Sequence, residues 1–378
     1  MIPLAKPDIR QEDIDRAVNV LHSGMLVQGS HVDAFEKRLA AFADLPHAVA
    51  VSSGTAALHL ALKALHIGPG DTVIVPAFTF PATANVVENL GATTALCDVD
   101  ESAYVITPEA VAARISSLKN QRLKAVMVVH EFGCPARIAE IASICRHNGL
   151  LLIEDAACAL GTVADGRHPG FYGDAACLSF HPRKAITTGE GGAILTQRKD
   201  VSEKVVCLRN HGIVNTPTGI DFQQAGLNYR LTDFQAALAT GQLERFDEEL
   251  VRRHELVSIY QSRLAPVAGV SLPQIPPGHS LQSFMVVLNG SVSRNRMISA
   301  MLDGGVQTNL GAQALNCLAY YRQRYGWGPD TCPVATLLYH QGLVLPLYGL
   351  LKNVDVERIC ELLQSLGPIQ AVGSGHAY

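Results

Sequence analysis

No apolar stretch of the chain is long enough to cross a bilayer: the longest, "LKAVMVV" and "HNGLLLIEDAA", stop well short of the ~20 residues that a spanning helix needs. The opening "MIPLAKPDIRQ" lacks the charged start and long apolar stretch of a signal peptide, so a cytoplasmic location is expected. Charge is sparse and slightly acidic, with a formal net charge of −4 and no block of Lys and Arg. Binding along a nucleic acid needs clustered cations, so the expected partners are small molecules, with neither nucleic acid nor membrane among them. The nine cysteines are scattered without a CxxC pair, which indicates neither a zinc site nor a disulfide framework. Most are expected as reduced thiols packed like small apolar residues. Repeats and low-complexity stretches are absent as well.

What is present is apolar bulk and a regular alternation. With 48% hydrophobic residues in 378, the chain can bury a large core and has the length of two domains. From about Ser53, helical stretches alternate with short apolar runs: "GTAALHLALKALHI" then "TVIVP", "ATANVVENLG" then "TTALCDV", "TPEAVAARISSL" then "LKAVMVV", "ARIAEIASICRHNG" then "LLLIED". Such a pattern predicts an α/β fold with a mostly parallel sheet between helices, a three-layer large domain. After two further strands, "DAACLSF" and "GGAILT", a helical segment from "LTDFQAALATGQL" onward bridges into a second unit. The expected division is 1–245 for the large domain with N-terminal helices, and 246–378 for a smaller α+β domain. In the latter, "SFMVVL" reads as a strand, "SRNRMISAMLDGG" and "VDVERICELLQSLG" as helices, and the tail "AVGSGHAY" as loosely ordered.

Three places invite chemistry. Lys184, in "SFHPRKAITTGEGG", follows a predicted strand and so lies where open α/β sheets place ligands. A lysine there either clamps a phosphate or forms a Schiff base with an aldehyde. Asp155 ends the apolar strand "LLIED"; it is a partner for a cationic heterocycle, a metal ligand, or simply the cap of the following helix. No His-rich or multi-carboxylate cluster accompanies it, which disfavours a metal. In "VSSGTAALHLAL", small residues open directly into a helix, so the backbone N–H groups around Gly54 and the Thr55 hydroxyl form either a phosphate seat or an ordinary helix start. Phe80, in "FTFPAT", either stacks on a planar ring or joins the core. Together, a phosphate seat, a stacking ring, an acid for a ring nitrogen and a lysine for an aldehyde meet the demands of pyridoxal 5′-phosphate.

"SSGTAALHLALKAL", "PAFTFPATAN", "IEDAACALG", "SFHPRKAITTGEGG" and "LNYRLTDFQAALATGQL" stand in the order and spacing of the DegT-type sugar aminotransferases, which this chain resembles over nearly its whole length. The resemblance implies fold type I and a pyridoxal-phosphate enzyme. It implies that Lys184 carries the cofactor and shuttles a proton, that Asp155 pairs with the ring nitrogen, and that Thr55, Ala56 and Ser179 hold the phosphate while Phe80 stacks on the ring. Asn228 would reach the phosphate from a neighbouring subunit, making a homodimer with shared sites. His181 matches the family pattern either as a site residue or as a local hydrogen bonder; His130 and His211 match it as structural residues.

The implied reaction moves an amino group from L-glutamate to a nucleotide-linked keto-deoxysugar, at C4 by the "TTGEGG" ending, with C3 transfer or a regulatory pyridoxal-phosphate protein as alternatives. Lys184 argues against the branch of the family that has histidine there and dehydrates or deoxygenates its sugars. Two positions depart from the family: Cys158, where Gln or His is usual near the cofactor, and Asn316, where many relatives have His at a position expected beside the substrate.

Overall fold

The computed structural model describes residues 1–119, 121–289 and 293–367; the tail "AVGSGHAY" lies outside them. Eight strands come first: β1 (His47–Val51), β2 (Thr72–Pro76), β3 (Phe78–Thr79), β4 (Thr93–Cys97), β5 (Leu123–Val129), β6 (Leu151–Asp155), β7 (Ala175–Ser179) and β8 (Gly192–Thr196). All but β3 form one sheet in the order β1-β8-β7-β6-β5-β2-β4, in which only β8 runs against its neighbours. β2 is buried along its whole length and β5 along most of its own, because helices cover both faces, and a near-continuous Val/Ile/Ala run is what such strands require. Each such side chain taken from water contributes about 1.5–3 kcal/mol.

The helices between the strands start where the sequence supplies caps. Ser53 Oγ accepts from Ala56 N at 3.0 Å to open Gly54–Ala64, and Thr107 Oγ1 accepts from Ala110 N at 3.2 Å before the proline of Pro108–Ser117. The helical segment after "LNYR" is two helices, Asp233–Glu244 and Phe246–Leu264. They part at Arg245, whose guanidinium turns to Asp13 and to Asp8 O.

An exposed hairpin, β9 (Ile213–Thr216) with β10 (Gly219–Phe222), precedes them; nothing in its sequence pattern pointed to it, since neither strand has a core to face.

A second core forms around Leu256, Tyr260, Phe284 and Ile359, with Ile2 from the N-terminus joining it. Its sheet runs β11 (Val270–Ser271), β12 (Phe284–Leu288), then β15 (Gly342–Leu345) and β13 (Asn309–Leu310). Between the last two in sequence, β14 (Gln313–Ala314) leaves this unit to pair with β3, and Leu315, Tyr321 and Leu338 pack into the core of the large sheet. The chain from 309 onward thereby closes over the strand ends of the large sheet.

Candidate active site

A cavity of about 390 Å³ lies at the C-terminal ends of β5, β6 and β7, roofed by residues 309–313 and 344–347. On one side, the turn Ser53–Gly54 passes directly over the β7–β8 pair. A Cβ on Gly54 would stand 2.8 Å from Ser179 Cβ, and one on Gly192 would stand 2.6 Å from the Ser53 carbonyl carbon. Only glycine allows this approach. It aims the first N–H groups of the helix Gly54–Ala64, which have no intrahelical acceptor, at a space bordered by Thr55 and Ser179. Ala56 departs from its expected role: its N–H is given to Ser53 Oγ as part of the helix cap, and its side chain is buried in the core. The open donors are those of Gly54 and Thr55.

Asp155, the last residue of β6, is buried yet lines the cavity. Thr83 Oγ1 donates to its Oδ2 at 2.7 Å, and Ala157 N to its Oδ1 at 3.1 Å. Burial pushes its carboxyl above the usual range, against those two bonds and the nearby Lys184. A cationic partner inside the cavity would restore the ionised form. Thr83 was not anticipated; it is a buried hydroxyl on the helix after β3, itself bonded to Thr79 at 2.9 Å, and only the fold brings it to Asp155.

Lys184 sits on the loop after β7, and its Nζ donates to Cys158 Sγ at 2.9 Å. Burial alone would lower its ammonium, but Cys158, Glu131 and Asp155 hold it above the usual range. Burial likewise pushes the Cys158 thiol up, against the pull of Lys184. The departure from the family at Cys158 therefore puts a soft, weakly hydrogen-bonding group against the lysine nitrogen. Two glutamines fix the loop: Gln242 Oε1 accepts from Thr187 N at 3.0 Å, and Gln282 accepts from Ala185 N at 2.9 Å while donating to Arg183 O at 2.7 Å. Neither glutamine was singled out in the sequence, because each acts from a distant segment.

Glu131 was also missed. It follows β5 as Asp155 ends β6, and the register pairs Val129 with Asp155, so two acids emerge side by side; the rule that marked Asp155 applies to it in weaker form. It is 6% exposed, lines the cavity, and has its carboxyl raised to about 7 by burial and by Asp155, against Lys184.

The remaining expected residues divide. His181 lines the cavity and its Nδ1 accepts from Arg183 N at 3.2 Å; burial, with Arg183 and Lys184, lowers its imidazole against Glu190. Phe80 lines it and is 65% exposed. Asn228 is exposed outside the cavity of its own chain, beside the Asn210 bridge. His130 is buried against Glu154 at 2.8 Å, and His211 is exposed in a left-handed turn with φ 58°. Asn316 does not border the cavity: it is fully buried, its Nδ2 donating to Gly328 O at 3.0 Å and Thr336 Oγ1 at 2.9 Å. It holds together the segment behind the roof.

These residues fit pyridoxal phosphate: free helix-start donors over a glycine cradle for the phosphate, an under-compensated buried acid for the ring nitrogen, and an amine for the aldehyde. No cluster of three or more His, Cys, Asp or Glu able to hold a metal ion occurs among the described residues, and no helix described is long and apolar enough to cross a membrane.

Known structures repeat the architecture. TlmJ, an aminotransferase from Streptoalloteichus hindustanus, is 29% identical, with 97% of this chain and 98% of that chain covered and a TM-score of 0.89. S. venezuelae DesV is 30% identical over 95% of each chain, with a TM-score of 0.87. Spr1654 of Streptococcus pneumoniae, assigned as a sugar aminotransferase, is 26% identical in its PLP-form, with 97% and 98% covered and a TM-score of 0.90. The model of the DegT/DnrJ/EryC1/StrS aminotransferase family matches residues 7–364. With the cavity's lysine, acid and phosphate seat in place, this chain therefore belongs to the DegT/DnrJ/EryC1/StrS aminotransferase family and is a pyridoxal-phosphate-dependent aminotransferase.

Proposed function

We propose that the enzyme transfers an amino group from L-glutamate to the keto carbon, at C4, of a nucleotide-linked deoxysugar in the cytoplasm, supplying an aminosugar for surface glycan or antibiotic assembly. The observation that carries the transfer is that Lys184 and Asp155 line one cavity; the sugar rests on the family resemblance and on the assignment of Spr1654 as a sugar aminotransferase. When bound, pyridoxal phosphate supplies an aldehyde for the amine and a ring that withdraws electrons.

The chain's own residues do the rest. Gly54, Thr55 and Ser179 bind the phosphate, Asp155 holds the proton on the ring nitrogen with Thr83 orienting it, and Lys184 supplies the amine and moves the proton. Phe80 covers the ring, and His181 borders the cavity with its Nδ1 held by Arg183 N. Mass spectrometry of products from a panel of nucleotide-linked 4-keto and 3-keto sugars with glutamate tests the reading. Transfer only to 3-keto sugars would move the regiochemistry, and a cofactor-bound protein that aminates none of them would favour the regulatory alternative.

The proposed active unit is a homodimer in which Asn228 serves the partner's cofactor. The apolar groups left outside the fold support it: Ile220 at 67% and Phe222 at 64% exposure on the hairpin, with Met25 at 70% and Val27 at 65%. If sites are shared, mixing inactive Lys184→Ala and inactive Asn228→Asp subunits should restore up to about a quarter of wild-type activity, since each mixed dimer has one intact site. If each site is built from one chain, mixing restores nothing.

A further inference from the structure

Glu131 has no task in the transfer just described, yet of the two buried acids of the cavity it is the less satisfied. Among the described residues its hydrogen-bonding support is the neighbouring Phe132 N–H, whereas Asp155 has both Thr83 and Ala157. The turn that carries it is held in an uncommon shape. Phe132 has φ 55°, and at Gly133, with φ 92°, a Cβ would stand 2.3 Å from Ser280 Oγ. Such backbone persists only where the surroundings enforce it, and here Ser280 N donates to Gly133 O at 3.0 Å and Gln282 N to Phe132 O at 2.8 Å.

Gln282 is the same residue whose side chain clamps the Lys184 loop on both Ala185 and Arg183. One residue thus ties the turn that carries Glu131 to the loop that carries Lys184. The charged and titratable groups around the amine are Glu131, Asp155 and Cys158, with His181 also lining the cavity; around Glu131 they are Lys184, Asp155 and Cys158.

We propose that Glu131 is a positioning residue for the Lys184 proton: its carboxylate, facing the same cavity, sets how tightly the Lys184 nitrogen, free or joined to the cofactor, holds its proton. The inference rests on the pyridoxal-phosphate reading of the site. Asp155 cannot fill this role, since its charge is committed to the ring nitrogen, and Cys158 meets the amine only through its sulfur, at 2.9 Å. Glu131 is left as the negative group that can tune the amine without being consumed by another partner.

The test is the pH titration of the cofactor's absorbance in the holoenzyme, which reads the Lys184 nitrogen without turnover. Removing a nearby negative charge disfavours the protonated form, so Glu131→Gln should move the midpoint down by about one to two pH units. Glu131→Asp keeps the charge and should stay near wild type. An unmoved midpoint in Glu131→Gln overturns the proposal, as does an equal shift in both variants, which would trace the effect to packing. Should Glu131→Gln fail to fold, Glu131→Leu and Glu131→Asp carry the same contrast. A wild-type protein that retains no chromophore when supplied with pyridoxal phosphate overturns the cofactor reading and this proposal with it; a chromophore insensitive to Glu131 overturns this one alone.

Discussion

Glu154 and its neighbours Asp155 and Glu131 show two ways of burying an acid on the same pair of strands. Glu154 is fully served by protein: His130 Nε2 lies 2.8 Å from one oxygen, and Gly170 N and Gly173 N each donate to the other at 2.9 Å. Asp155 and Glu131 face the cavity with fewer donors, and burial leaves both carboxyls above their usual range. A protein satisfies buried charge where nothing will enter and leaves it under-compensated where a ligand will. The first arrangement contributes stability; the second holds back stability for binding and chemistry.

The sharpest way to break this comparison is at the amine. Lys184→Ala should abolish turnover while pyridoxal phosphate still binds non-covalently through the Gly54–Thr55 seat. Borohydride reduction and peptide mapping of the wild-type protein should place the pyridoxyl label on Lys184; a label on any other lysine would overturn the site as drawn.

Next come the two neighbouring acids. Glu154→Gln should destabilise the fold by about 2 kcal/mol, because an amide cannot accept from the glycine N–H groups and from His130 at once. Asp155→Asn should cost turnover about ten- to a hundredfold, the worth of one charge-assisted hydrogen bond of roughly 1.5–3 kcal/mol in the barrier. It should leave the cofactor-free protein as stable as wild type or more so, since a buried charge has been removed. Urea unfolding alongside steady-state rates separates the two, and a reversed pattern would erase the distinction between them.

The smallest effect concerns Glu131 and pH. Its carboxyl rises from the ordinary 4.5 to about 7 in the folded protein, so ionisation costs the folded state more than the unfolded one. The stability it permits is therefore complete below about pH 4.5 and lost as pH rises through about 7. Urea midpoints of cofactor-free protein across that window should fall more steeply for wild type than for Glu131→Gln, and parallel curves would show that Glu131 titrates normally.

Much of this was legible in the sequence because it is local. The alternation of apolar runs with helical stretches marked β2 and β4 to β8, though neither β1 nor β3, and the ends of "LLIED" and "DAACLSF" put Asp155 and Lys184 where a parallel sheet presents its ligands. Glu131 carries a weaker form of the same signal, since it lies two residues past the end of its strand. Ala56 was misjudged because a helix start offers several N–H groups, and only the Ser53 rotamer decides which is already taken.

The chain's local periodicity and turn chemistry by themselves determined the large sheet, its mostly parallel direction, and the strand-end placement of the lysine and the acid. The tertiary structure alone decided what those groups meet. Cys158 reaches Lys184, Thr83 reaches Asp155, and Gln282 ties the Lys184 loop to the Glu131 turn through contacts between segments distant in sequence. Asn316, placed beside the substrate by its motif, is instead turned inward by the packing of residues 328–336. Periodicity sets which face of an element is apolar, but contacts between distant segments depend on how the elements dock, and that is settled by the summed packing of the whole chain.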